Sequence, residues 1–166
     1  MPRLFLAVWP PEDTVSELMA LRRKDQRGVR FVAPERWHVT VRFFGEAHPD
    51  DVEEAMADVD LPPAVATLGP AVDVLGERVL AVPVNGLEAL AGVVVSATRG
   101  VGDPPPRRAF HGHITIARIA RDARMPPTLG TRVDGTFCVE ELALVRSRRD
   151  PDGVRYDTVA TWPLPA

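Results

Sequence analysis

One four-residue pattern occurs twice in this chain, as His38-Val39-Thr40-Val41 and as His113-Ile114-Thr115-Ile116. Each copy alternates polar and apolar residues, the period of a half-buried strand. On such a strand His and Thr point to one face and the β-branched residues to the other. The fold must therefore supply two strands, one in each half of the chain, with one face in a core and the other open. Side by side, they would line a single cleft with two imidazoles and two hydroxyls.

The rest of the chain punctuates readily around these strands. Residues 3–9 read as a strand closed by Pro10-Pro11, and residues 11–24 as a helix with Val15, Leu18 and Met19 on one stripe. Residues 30–33 and 38–44 read as a short and a long strand. A helix follows with Asp50 as N-cap, Glu53 three residues on, and Val52, Ala55, Met56 and Val59 on its apolar face, until Pro62-Pro63 breaks it. Residues 65–75 and 78–84 read as strands around a turn at Gly76. A third helix is capped by Asn85 with Glu88 at its third position and ended by Gly100. Gly102 to Arg108 is a loop, 113–119 the second His-bearing strand and 121–135 a surface loop. Residues 136–147 and 154–162 close the chain as a hairpin turning at Asp150-Pro151-Asp152-Gly153. Each half then holds one His-strand and at least one amphipathic helix. The expected fold is α+β: a bilobal duplicated unit, two antiparallel sheets facing a central cleft with helices on the outside. The 166 residues form a single domain of two intimate lobes, residues 1–166.

Composition narrows the partners. Hydrophobic residues make up 45%, enough for a real core. A net charge of −3 lacks the basic excess of a protein that coats long nucleic acid, so any RNA is met locally, at an end or a loop. Lys24 is the sole lysine; the remaining cations are arginines, which suit bidentate phosphate contact. Cys138 is the sole cysteine, so no internal disulfide forms and a reducing, cytoplasmic setting is expected. No stretch approaches the ~20 apolar residues of a membrane span.

Two histidines in one cleft suit acid–base work on a phosphate. Their ordinary pKa of about 6.5 lets one be neutral and accept a proton from water while the other is protonated and donates to a leaving oxygen. Thr40 and Thr115 could hydrogen-bond the non-bridging oxygens. No metal is needed for this. His111-Gly112-His113 has a spacing that could bind an ion, yet no Cys, Asp or Glu lies on that stretch, so neither metal nor other cofactor is expected. Strict alternation puts Arg42 on the face of His38 and Thr40, able to meet a phosphate, and Phe44 with it, as a base platform or a core residue. Arg118, three residues after Thr115, points away from the cleft unless the strand bulges. Trp37 and Phe110 flank the two motifs as platform or core. His111 reads as a loop residue at the mouth, and His48 has no evident chemistry.

These residues resemble the two-histidine phosphoesterase superfamily, and within it the RNA 2',3'-cyclic phosphodiesterase branch, also called the RNA 2'-5' ligase family. The likeness runs through Arg3-Leu4-Phe5-Leu6-Ala7-Val8, the block from Val32 to Glu46, the block from Phe110 to Arg118, and Val145-Arg146-Ser147, Tyr156 and Trp162-Pro163-Leu164 in the tail. It departs at His111-Gly112, where a Pro-containing pair is more usual. The resemblance implies metal-independent hydrolysis of RNA 2',3'-cyclic phosphate ends to 2'-phosphates by a monomer. His38 would be the general acid on O3', His113 the general base on water, and Thr40, Thr115 and Arg118 phosphate contacts. The order of the two histidines comes from the family, not from the residues. A ligase joining RNA through a 2'-5' linkage at the same site, and an RNA-end binding module without turnover, are the alternatives.

Overall fold

The computed structural model describes residues 1–166. Ten strands and three helices follow in the order β1 (Arg3–Val8), α1 (Glu12–Leu18), β2 (Val29–Phe31), β3 (Val39–Glu46), α2 (Pro49–Met56), β4 (Val65–Leu68), β5 (Asp73–Leu75), β6 (Val79–Asn85), α3 (Glu88–Ala97), β7 (His113–Ile119), β8 (Thr136–Cys138), β9 (Glu141–Asp150) and β10 (Gly153–Pro163). The class is α+β, dominated by antiparallel sheet.

The strands form one continuous path, β10-β9-β1-β3-β7-β6-β4-β8, with β2 on β7 and β5 on β6. The closing hairpin thus returns to pair with the first strand, β9 lying antiparallel to β1 from Arg3↔Ser147 to Ala7↔Ala143. The path has one narrow point. β3 and β7 meet through the single pair Val39↔Ile114, the residues that directly follow the two histidines. Further along, β7 pairs with β2 instead, through Phe31↔Ala117, Arg30↔Arg118 and Val29↔Ile119.

Apolar alternation builds the core. Val39, Val41, Ile114 and Ile116 are buried on the face away from His38 and Thr40, and join a cluster with Val52 and Met56 of α2 and Leu90, Ala91 and Val94 of α3. Each such side chain, taken fully out of water, contributes about 1.5–3 kcal/mol.

The helices differ from their expected bounds for local reasons. α1 is shorter than residues 11–24: after Leu18 the bonds tighten to Ala20 N–H on the Glu17 carbonyl and Leu21 N–H on that of Leu18. α2 begins two residues early, with Pro49 in its first turn and His48 at the N-cap, so Asp50 lies inside the helix. Proline's fixed φ and absent N–H suit that position. α3 starts from Leu87 rather than Asn85, and the Glu88 carboxylate reaches back to the Gly86 N–H at 2.8 Å. Residues 65–75 split into β4 and β5, and 136–147 into β8 and the start of β9.

Candidate active site

The two His-Thr strands carry the same irregularity. On β3, Thr40 pairs with Ala7 but Arg42 pairs with Leu6, so Val41 is an extra residue. On β7, Thr115 pairs with Ala81 but Ala117 pairs with Leu80, so Ile116 is extra. A bulge of this kind resets the alternation of every side chain beyond it. The residue two after each threonine, Arg42 or Ala117, turns into the core, and the residue three after, Phe43 or Arg118, faces the cleft.

Arg42 and Phe44 are therefore not cleft residues, contrary to the alternation rule. Arg42 is 2% exposed and Phe44 fully buried. The Arg42 guanidinium lies 4.6 Å from the Phe44 ring centre and donates to the carbonyls of Phe43 (2.6 Å), Thr98 (3.1 Å) and Val101 (2.9 Å). It ties β3 to the end of α3. Burial lowers its pKa, against the attraction of Asp103.

A cleft of about 830 Å³ opens along the seam between β3 and β7. His38, Thr40, His113 and Thr115 all line it, as do Phe5, Phe43, Ser147 and Tyr156. Five arginines, Arg3, Arg30, Arg36, Arg118 and Arg149, line it too, and no Asp or Glu does. The register through Val39↔Ile114 sets the two histidines as diagonal neighbours across the seam, a backbone spacing of about 7–8 Å.

Both imidazoles are held in the same way. His38 Nδ1 lies 2.7 Å from the Arg36 carbonyl, and His113 Nδ1 lies 2.8 Å from the His111 carbonyl. A carbonyl only accepts, so each Nδ1 carries the proton and each Nε2 is left as the group that can take or give one. Thr40 Oγ1 is 3.0 Å from His38 Nε2. The His113 strand can lie close to β6 because Gly112 has no side chain: a Cβ there would collide with the Val84 carbonyl, while the Gly112 carbonyl accepts the Val84 N–H at 2.9 Å.

The environments of the two rings differ. His38 stacks on Phe5 at 4.8 Å and is flanked by Trp9 at 5.5 Å and Tyr156 at 5.4 Å. Burial in this aromatic nest lowers its pKa below the usual histidine value; the Arg36 carbonyl opposes that, and the charge of His113 adds to it. Trp9 stands behind His38, outside the cleft lining. Trp9→Ala admits water to the ring and so raises the His38 pKa. If His38 must be protonated to act, the alkaline limb of the kcat/KM profile moves to higher pH in this variant. Movement of the acidic limb instead would make His38 the base.

The other flanking residues settle into structure. Trp37 is 1% exposed, in the core. Phe110 packs partly buried against the core, and with His111 it borders a separate hollow beside Asp73 and Glu88. His48 sits at the start of α2 without a side-chain capping bond. The reading of the sequence missed Phe43, the one large cleft residue that is 44% exposed, with Arg3 over its ring at 5.3 Å. It also missed Arg30 and Arg149. A bulge leaves no composition signature, so alternation alone pointed to the wrong neighbours.

The sheet carries one His-x-Thr strand on each side of its narrow seam, and proteins of similar sequence and fold are phosphoesterases. The family model described as LigT like Phosphoesterase matches residues 8–68, the part that holds His38 and Thr40. The RNA 2',3'-cyclic phosphodiesterase of Escherichia coli (strain K12) is 28% identical over 172 residues, covering 98% of this chain and 96% of that one. The crystal structure of E. coli LigT complexed with 3'-AMP superposes with a TM-score of 0.79 at 26% identity, over 98% of both chains. The crystal structure of TT0787 of Thermus thermophilus gives 0.81 at 25% identity, over 98% of this chain and 97% of that one. Over its whole length the chain is similar to the LigT-like phosphoesterases.

Proposed function

We propose that the protein hydrolyses RNA ends bearing a 2',3'-cyclic phosphate, leaving a 2'-phosphate. The observation that carries this is the pair of imidazoles across one seam, each with Nδ1–H held by a carbonyl, which leaves Nε2 as the nitrogen that exchanges a proton, that of His38 within 3.0 Å of Thr40 Oγ1. In the reaction, His113 Nε2 takes a proton from water as the oxygen bonds to phosphorus. The bond from phosphorus to O3' breaks, and protonated His38 Nε2 delivers its proton to O3'. Each transfer contributes about 10²–10⁴ in rate. Thr40 and Thr115 hydrogen-bond the non-bridging oxygens, and Arg118 adds positive charge. The assignment of acid and base follows the family resemblance.

The lowered pKa of His38 favours its neutral form in the free protein. An incoming phosphate reverses that bias, since its negative charge stabilises an imidazolium beside it. The cleft lining offers arginines, histidines and hydroxyls and no carboxylate, a set that neutralises a phosphate directly rather than through a metal. The halves of the sheet on either side of the seam act as two lobes of one domain, residues 1–166, with the cleft between them. The protein works as a monomer in the cytoplasm, where the exposed Cys138 thiol stays reduced. No helix is long and apolar enough to cross a membrane.

The test is incubation with a short RNA ending in a 2',3'-cyclic phosphate, in EDTA, followed by identification of the terminus. A new 2'-phosphate is expected. A lengthened RNA in the presence of a 5'-hydroxyl strand would establish ligation instead. Binding without turnover would make the protein an RNA-end binding module, and loss of activity in EDTA restored by zinc would overturn the metal-independent reading.

A further inference from the structure

Arg30 and Arg118 are direct cross-strand partners on the antiparallel pair β2–β7, and both are solvent-exposed. Like charges placed directly opposite each other destabilise a sheet. Neither arginine has an ion-pair partner. Three arginines of the closing hairpin are paired, Arg146 and Arg148 with Asp157 and Arg155 with Asp150. The two unpaired guanidiniums stand where the main cleft runs into an adjoining hollow of about 440 Å³, which they line together with Gly28, Val29, Ile119 and Ala120. In a chain of net charge −3, this is a local concentration of positive charge without a carboxylate in the lining of either cavity.

The count of charges exceeds what the reacting group needs. A 2',3'-cyclic phosphate is a diester with one negative charge, and the histidines and threonines already surround its position. Arg118 follows Thr115 by three residues, about 10 Å along the strand. Arg118 can reach back toward the reacting phosphate, but Arg30, opposite it on β2, adds a charge that the first phosphate does not need.

We propose that the Arg30–Arg118 pair is the seat of a second phosphate, the phosphodiester on the 5' side of the terminal nucleotide, so that the substrate is an RNA chain rather than a mononucleotide. This rests on the proposed function and extends it. Arg30 is the informative position, because Arg118 also serves the reacting phosphate.

The experiment compares wild-type protein and Arg30→Gln on a trinucleotide and a mononucleotide, each ending in a 2',3'-cyclic phosphate. The ratio of kcat/KM for trinucleotide over mononucleotide is expected to fall about tenfold in the variant, the loss of one charge-assisted phosphate contact. A parallel arm measures binding of an unreactive trinucleotide ending in a 3'-phosphate as salt is varied. There the slope of log affinity against log salt should shrink by about 0.7, one released counterion on a single strand. An unchanged ratio, or an equal fall for both substrates, overturns the second seat. If wild-type protein hydrolyses neither substrate, the catalytic reading fails on its own, and the salt slope still decides the seat: a steeper slope in wild type than in Arg30→Gln supports it, and identical slopes refute it.

Discussion

His113→Ala is expected to reduce hydrolysis of an RNA 2',3'-cyclic phosphate by at least about a hundredfold, because it removes one of the two proton transfers. The fold should survive the change. His113 is only half-buried, its side chain makes one hydrogen bond, to the His111 carbonyl, and the neighbouring Ile114 keeps its place between Val39 and Val82. His38→Ala should cost as much activity, with some stability lost as well, since its ring fills the space between Phe5, Trp9 and Tyr156. Steady-state kinetics on folded protein, with thermal unfolding as the control, checks both. A folded His113→Ala protein with near-normal kcat would remove His113 from the chemistry. With both imidazoles present, kcat/KM should trace a bell against pH.

Arg42→Ala should instead strike the fold. The buried carbonyl of Thr98 and the part-buried carbonyls of Phe43 and Val101 lose a donor, and the Phe44 ring loses the cation above it. At about 1–3 kcal/mol for each buried polar group left unsatisfied, the loss reaches about 3 kcal/mol or more. That is a large share of the roughly 5–15 kcal/mol that holds a typical domain together. Urea unfolding should show a lower midpoint at similar slope, and melting should fall by several degrees. Arg42→Lys should recover only part, because a single ammonium cannot span the three carbonyls as a planar fork does. A phosphate-binding role on the cleft face makes the opposite forecast, normal stability with weaker substrate binding. Unfolding free energy unchanged to within about 1 kcal/mol would therefore refute the structural role.

The contrast between these two residues shows how far a sequence can be read. His38, Thr40, His113 and Thr115 line the cleft together, because the His-x-Thr part of each tetrad lies before its bulge. The first strand and the hairpin turn at Gly153 were equally legible, from an apolar run closed by prolines and from Asp-Pro-Asp-Gly. Arg42 and Phe44 were misplaced and Phe43 was missed, because each lies past Val41, where one extra residue reverses the faces. Arg118 was open for the same reason and was resolved by the extra residue at Ile116.

The amino-acid sequence by itself determined which groups are candidates for the chemistry and that each lies on, or at the start of, a half-buried strand, since polarity and β-branching act within a few residues. Only the tertiary structure decided that the two strands meet at one pair, Val39 and Ile114, that aromatic rings from β1 and β10 desolvate His38 alone, and that two arginines from distant segments stand face to face. Register, bulges and the burial of a ring depend on which distant strands pair, and no local pattern carries that information.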